Sequence, residues 1–101
     1  MNREIKFRAY SNETNKMMDW NFIKSVGNLT KLISLNHVEV MQFTGLTDKN
    51  RKDIYEGDFI KNDYYTLIRV IEWDKEKACF KHLGNPAHME IIGNIYENPE
   101  L

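Results

Sequence analysis

Glu56 and Asp58 flank Gly57, with Asp53 and Asp48 a few residues upstream, and carboxylates brought that close are the raw material of acid–base catalysis. Carboxylates so near one another on a turn also serve as caps for backbone N–H groups. Nothing in the chain supplies a nucleophile or an oxyanion donor beside them, so no catalytic residue is assigned and no enzyme is expected. Cys79, His82 and His88 bring zinc to mind, since thiolate and imidazole are its usual ligands. On a strand, however, positions 79 and 82 point to opposite faces, a fourth ligand is missing, and there is no Cys-x-x-Cys pair. No metal and no cofactor are expected. Lys6, Arg8 and, across a hairpin, Lys16 can share an exposed face on which Tyr10 and Trp20 offer stacking surface for single-stranded nucleic acid. The plainer reading of the same five residues is a solvated strand face over core aromatics.

These residues must be held by the scaffold that 101 residues can build. One domain spanning 1–101 is expected, able to bury roughly 65% of its unfolded surface without metals or disulfides. With 42% hydrophobic and 29% charged residues, no low-complexity block and no repeat, the chain reads as globular. Its net charge of −1, with basic and acidic residues interleaved, lacks the basic footprint of a strong nonspecific nucleic-acid binder. Cys79 is the sole cysteine, so no intrachain disulfide forms. The first residues read as a charged strand, and no apolar run approaches the ~20 residues of a membrane-crossing helix. A cytoplasmic protein with no membrane contact is the expectation.

Ile5, Phe7 and Ala9 alternate with Glu4, Lys6 and Arg8, the period of a strand with one buried face. A polar turn over residues 11–15 leads into a return strand from Met17 to Phe22. Residues 23–36 read either as a short hairpin or irregular excursion, or as a helical turn from Thr30 to Leu35. Val38 to Phe43 reads as a strand ended by Thr44-Gly45. Thr47, Asp48 and Asn50 then favour tight turns, and Glu56-Gly57-Asp58 reverses the chain with Gly57 at positive φ. Tyr64 to Trp73 reads as the longest strand, apolar on both faces and therefore central or covered. A short strand at Phe59 to Lys61, then Ala78 to Leu83 and Met89 to Tyr96, complete seven strands, with Gly84-Asn85-Pro86 as a turn. The expected class is all-β, a small antiparallel barrel-like or sandwich domain, SH3-like in part.

The segment from Val40 to Ile60, Val-Met-Gln-Phe-Thr-Gly-Leu-Thr-Asp-Lys-Asn-Arg-Lys-Asp-Ile-Tyr-Glu-Gly-Asp-Phe-Ile, joins two apolar runs through a polar connection carrying two glycines. It resembles the signature of the YopX family. Arg3-Glu4-Ile5-Lys6-Phe7-Arg8-Ala9-Tyr10 with Asn15-Lys16-Met17 is similar to that family's opening hairpin, and Ile92-Gly93-Asn94-Ile95-Tyr96-Glu97-Asn98-Pro99-Glu100-Leu101 to its closing strand and tail. Residues from about 19 to 36 do not match, and Arg51 stands where the family usually has glycine. The resemblance implies a protein of bacteriophages and prophages of low-GC Gram-positive bacteria, and it brings no particular activity with it. The motif positions Gln42, Thr44, Gly45, Asp48, Tyr55, Glu56, Gly57, Asp58, Gly93, Asn94 and Tyr96 are of the kinds that satisfy a folded loop's backbone, which argues for architecture. The expected function is noncatalytic: an accessory or regulatory module that binds a phage or host protein. Nucleic-acid binding by the amino-terminal strand face is the alternative, and a homo-oligomer is left open.

Overall fold

In the computed structural model, which describes residues 4–26, 31, 34–64 and 67–101, antiparallel strands dominate, with the short α-helix Trp20–Val26 among them. The β-rich antiparallel class read from the sequence is the class observed. The residues group into two compact units, Met1–Gln42 and Phe43–Leu101.

In the first unit, β1 (Phe7–Ser11) and β2 (Lys16–Met18) form a hairpin with Ala9 opposite Met18 and Ser11 opposite Lys16. The turn closes because Asn15 adopts φ +56, a left-handed conformation that asparagine tolerates, and donates its N–H to the Ser11 carbonyl at 2.8 Å. The expected return strand to Phe22 is corrected: β2 stops at Met18, and α1 (Trp20–Val26) follows. Asp19 starts that helix, its Oδ1 accepting the Phe22 N–H at 2.8 Å as an N-cap carboxylate does. Ile23, Ala9 and Val38 form a buried cluster, with Met18, Trp20, Leu35 and Val40 packed on it. The helical face is what a strand over Trp20–Ile23 would have placed on two sides. Of the stretch expected to be a hairpin or a helical turn, residues 27–30 and 32–33 lie outside those described. The Ser34 N–H and Oγ both donate to the Lys31 carbonyl, at 3.2 and 2.7 Å.

β3 (Val38–Thr47) pairs with β1 over residues 38–42. Its continuation to Thr47 pairs with β4 (Asp53–Tyr55) in the second unit. Thr44-Gly45 therefore does not end the strand. Gly45, at φ +92, instead sits within a register shift between Phe43 and Thr47, a bulge that bends the strand.

The remaining strands of the second unit are β5 (Asp58–Asn62), β6 (Ile68–Val70), β7 (Glu72–Asp74), β8 (Cys79–Lys81) and β9 (Met89–Asn94). β5 lies between β6 and β9, while β7 and β8 form a separate hairpin. The long strand expected from Tyr64 to Trp73 is corrected, and positions 65–66 of it lie outside the described residues. The strand breaks at Ile71, which is fully buried and bonds the earlier Gly57–Asp58 turn through both backbone groups, its carbonyl accepting from the Gly57 N–H at 2.8 Å and its N–H donating to the Asp58 carbonyl at 2.9 Å. Leu67 and Ile68 are exposed beside and on the edge strand β6, and Trp73 is exposed on the separate two-stranded β7–β8 hairpin. Trp73 stacks edge-on against its cross-strand partner Phe80, ring centroids 5.0 Å apart. Ile54, Ile60, Ile71 and Met89 form the core of this unit. Each such side chain contributes roughly 1.5–3 kcal/mol on burial. Asn85 caps a 3-10 helix (Pro86–His88) by accepting the Ala87 N–H, where a simple turn was expected.

Candidate functional site

Two of the four carboxylates that suggested acid–base work, Asp48 and Asp58, are bonded to backbone. Asp48 is 4% exposed, its Oδ1 accepting the Asn50 and Lys52 N–H groups at 2.8 and 2.9 Å and its Oδ2 accepting the Ile91 N–H at 3.0 Å. Burial pushes the carboxyl of Asp48 up, but the N–H groups of Ile91, Lys52 and Asn50, with the Lys52 charge, outweigh it and hold the group below its ordinary value. Asp58 is fully buried and accepts the Tyr55 N–H at 2.7 Å, closing the turn between β4 and β5. Gly57, at φ +89, completes that turn, and its carbonyl accepts the Ile95 N–H at 3.0 Å. Glu56 stands half-buried beside it.

The neighbouring motif positions are used in the same way. Thr44 Oγ1 donates to the Ile54 carbonyl at 2.8 Å and accepts the Leu46 N–H, steadying the bulge at Gly45. Gln42 occupies the pairing position opposite Phe7. The buried Tyr55 ring lies 5.5 Å from Phe43. Asn94 Oδ1 gathers the Tyr96 and Glu97 N–H groups at 3.0 and 2.9 Å, and its amide donates to Glu97 at 2.7 Å. A Cβ on Gly93 would stand 2.6 Å from Asn98 Oδ1, so the tail packs only over a glycine.

The five residues expected on one aromatic, basic face are not brought together. Antiparallel partners project to the same side, so Lys16, opposite Ser11, shares the side of Phe7 and Ala9, while Arg8 and Tyr10 project to the other. Tyr10 is 8% exposed. Trp20 packs on the first unit's core, 6.0 Å from Phe7, with the Lys24 ammonium 5.9 Å over its ring. Lys6 is mostly covered and pairs with Glu4 at 3.4 Å. Cys79, His82 and His88 are likewise apart in their bonding: Cys79 is exposed opposite Asp74, the His82 ring bonds Val70, and His88 pairs with Asp63.

What the sequence reading missed is a groove beside α1 in the first unit. It encloses about 480 Å³, with Met17, Met18, Phe22 and Leu35 presenting apolar surface and Lys16, Asp19 and His37 bringing charge or polarity to the rim. Phe22 is half exposed there. The signal was present in Asp19 ahead of Trp20 and Ile23, a cap followed by apolar residues at helical spacing.

The family model described as YopX protein matches residues 6–101. The chain belongs to the YopX family. No curated protein matches it. Among solved structures it is similar to protein EF1440 from Enterococcus faecalis, with a TM-score of 0.69, 22% identity, and 98% of each chain covered. It is also similar to protein yopX from Bacillus subtilis, with a TM-score of 0.51, 20% identity, and 95% of this chain and 96% of that one covered. At these identities the likeness is one of fold.

Within the YopX signature, Arg51 takes the position where glycine is usual and adopts φ +64. A side chain at that φ costs roughly 1 kcal/mol that glycine avoids. Arg51→Gly is therefore expected to raise the denaturation midpoint, and a chemical melt of the two proteins checks it. A lower midpoint would mean that the greater freedom of glycine in the unfolded chain outweighs the relieved strain.

Proposed function

We propose that this YopX-family chain is a noncatalytic accessory or regulatory protein of phage or prophage origin, acting in the bacterial cytoplasm by binding a phage or host protein. The observation that carries this reading is the methionine-lined groove beside α1. Methionine adapts to varied partners, and an exposed aromatic over such a groove is the kind of anchor that concentrates binding energy. The engagement of the signature carboxylates with backbone N–H groups supports the noncatalytic part. Among the described residues no helix is long and apolar enough to cross a membrane.

Affinity purification of the tagged protein from its host, with and without nuclease, tests the reading. A nuclease-resistant partner retained by the native chain and lost from Phe22→Ala is the expected result. Retention by Phe22→Ala, or loss on nuclease treatment, would sink it. Single- and double-stranded oligonucleotides are expected to bind no tighter than about 10 µM at physiological salt, within the weak nonspecific range. A tighter, salt-sensitive complex weakened by Lys6→Ala with Arg8→Ala would promote nucleic-acid binding instead.

A further inference from the structure

We infer that the second unit carries a separate binding site for a small apolar carboxylate, between the β5–β6 sheet face and the segment after β8. Pairing of Ile60 with Arg69 puts Ile60, Asn62, Leu67 and Arg69 on one face of the sheet, by the two-residue alternation of strands. The chain covers that face because it turns sharply on leaving β8. His82 adopts φ +69, and its Nδ1 lies 2.7 Å from the Val70 carbonyl, the end of β6. A carbonyl only accepts, so Nδ1 carries the proton and the ring is fixed in place. The result is a cavity of about 330 Å³ lined by Ile60, Leu67 and Leu83 as apolar surface and by Arg69, Asn62 and His82 as polar groups.

The polar groups select the ligand. Among the described residues Arg69 has no carboxylate partner, although the unit around it holds eleven acidic residues against eight basic ones. Asn62 spends its Oδ1 on the Tyr64 N–H at 2.8 Å, which orients its amide and leaves its NH₂ as a donor. A guanidinium and an amide donor beside aliphatic side chains suit a monoanion that is planar and can bond the guanidinium bidentately, with an alkyl body to cover Leu67 and Leu83. A dianion such as phosphate would leave a charge unmatched in an acidic unit. The carboxylate comes either from a free aliphatic acid or from the carboxyl terminus of a chain ending in an aliphatic residue. The site shares no lining residue with the groove beside α1 and does not depend on it.

Titration of the ¹⁵N-labelled protein with N-acetyl-leucine, 4-methylpentanoate and N-acetyl-leucinamide tests the assignment. Saturable shifts centred on Leu67, Arg69 and Leu83 are expected with the first compound at a Kd of about 1 mM, a value in proportion to so small a ligand. Arg69→Gln, a change on an exposed edge strand, is expected to weaken binding about tenfold, the effect of losing a charge-assisted contact. Binding of both acids points to a free acid, and binding of N-acetyl-leucine alone to a chain terminus; either upholds the site. No saturable shift, equal binding of the amide, or indifference to Arg69→Gln overturns it.

Discussion

Asp48→Ala is expected to destabilise the protein by about 3–5 kcal/mol, because three backbone N–H groups lose one charged acceptor that no water replaces well at 4% exposure. Against a domain stability of roughly 5–15 kcal/mol this removes a large share. Two of the lost bonds hold the turn at Asn50–Lys52, and the third ties that turn to Ile91 in β9, so both the loop and a sheet edge loosen together. Asp48→Asn keeps one acceptor oxygen but sets an NH₂ group against another N–H, and is expected to fall between the two. The pH dependence has a definite sign. The Asp48 carboxyl titrates lower in the folded chain than in the unfolded one, so the unfolded chain binds more protons below about pH 4 and stability falls as acid is added through the folded value. The gap between wild type and Asp48→Ala should be constant near neutrality and shrink in that acid window. Urea denaturation from pH 7 down to about pH 2.5 measures both effects. A constant gap into strong acid would show that the carboxylate is not the acceptor that matters.

Gly57→Val is expected to cost about 2–3 kcal/mol, since a β-branched residue at φ +89 is a steric outlier and the turn has no freedom to relax. The Gly57 N–H donates to Ile71 and its carbonyl accepts from Ile95, so a change of φ breaks bonds to two other segments. Asparagine tolerates positive φ better than other side chains, so Gly57→Asn should lose less than Gly57→Ala, and Gly57→Val most. Melts of the three variants give the order. Equal losses would show that side-chain contact, not backbone conformation, governs the site.

The turns of the YopX signature were legible because their causes are local. Asp48 reaches Asn50 and Lys52 within four residues, Asp58 reaches Tyr55 within three, and the left-handed demand at Gly57 and Arg51 is a matter of each residue's own sterics. The strand-rich class was legible as well, from period-two alternation and closely spaced turn formers. Running the hairpin's return strand on to Phe22 misassigned Trp20–Phe22, where the Asp19 cap and a helical apolar face decide for helix. What only the tertiary structure decided depends on contacts between distant segments. The bond from Ile91 to Asp48 spans 43 residues, and the break at Ile71 exists because the Gly57 turn claims both of its backbone groups. Lys16 parts from Arg8 through a pairing register, and Arg69 meets Asn62 and His82 through another. Composition does not encode a register: a shift of one residue exchanges the two faces of a strand, and only the packed partners fix which face each side chain takes.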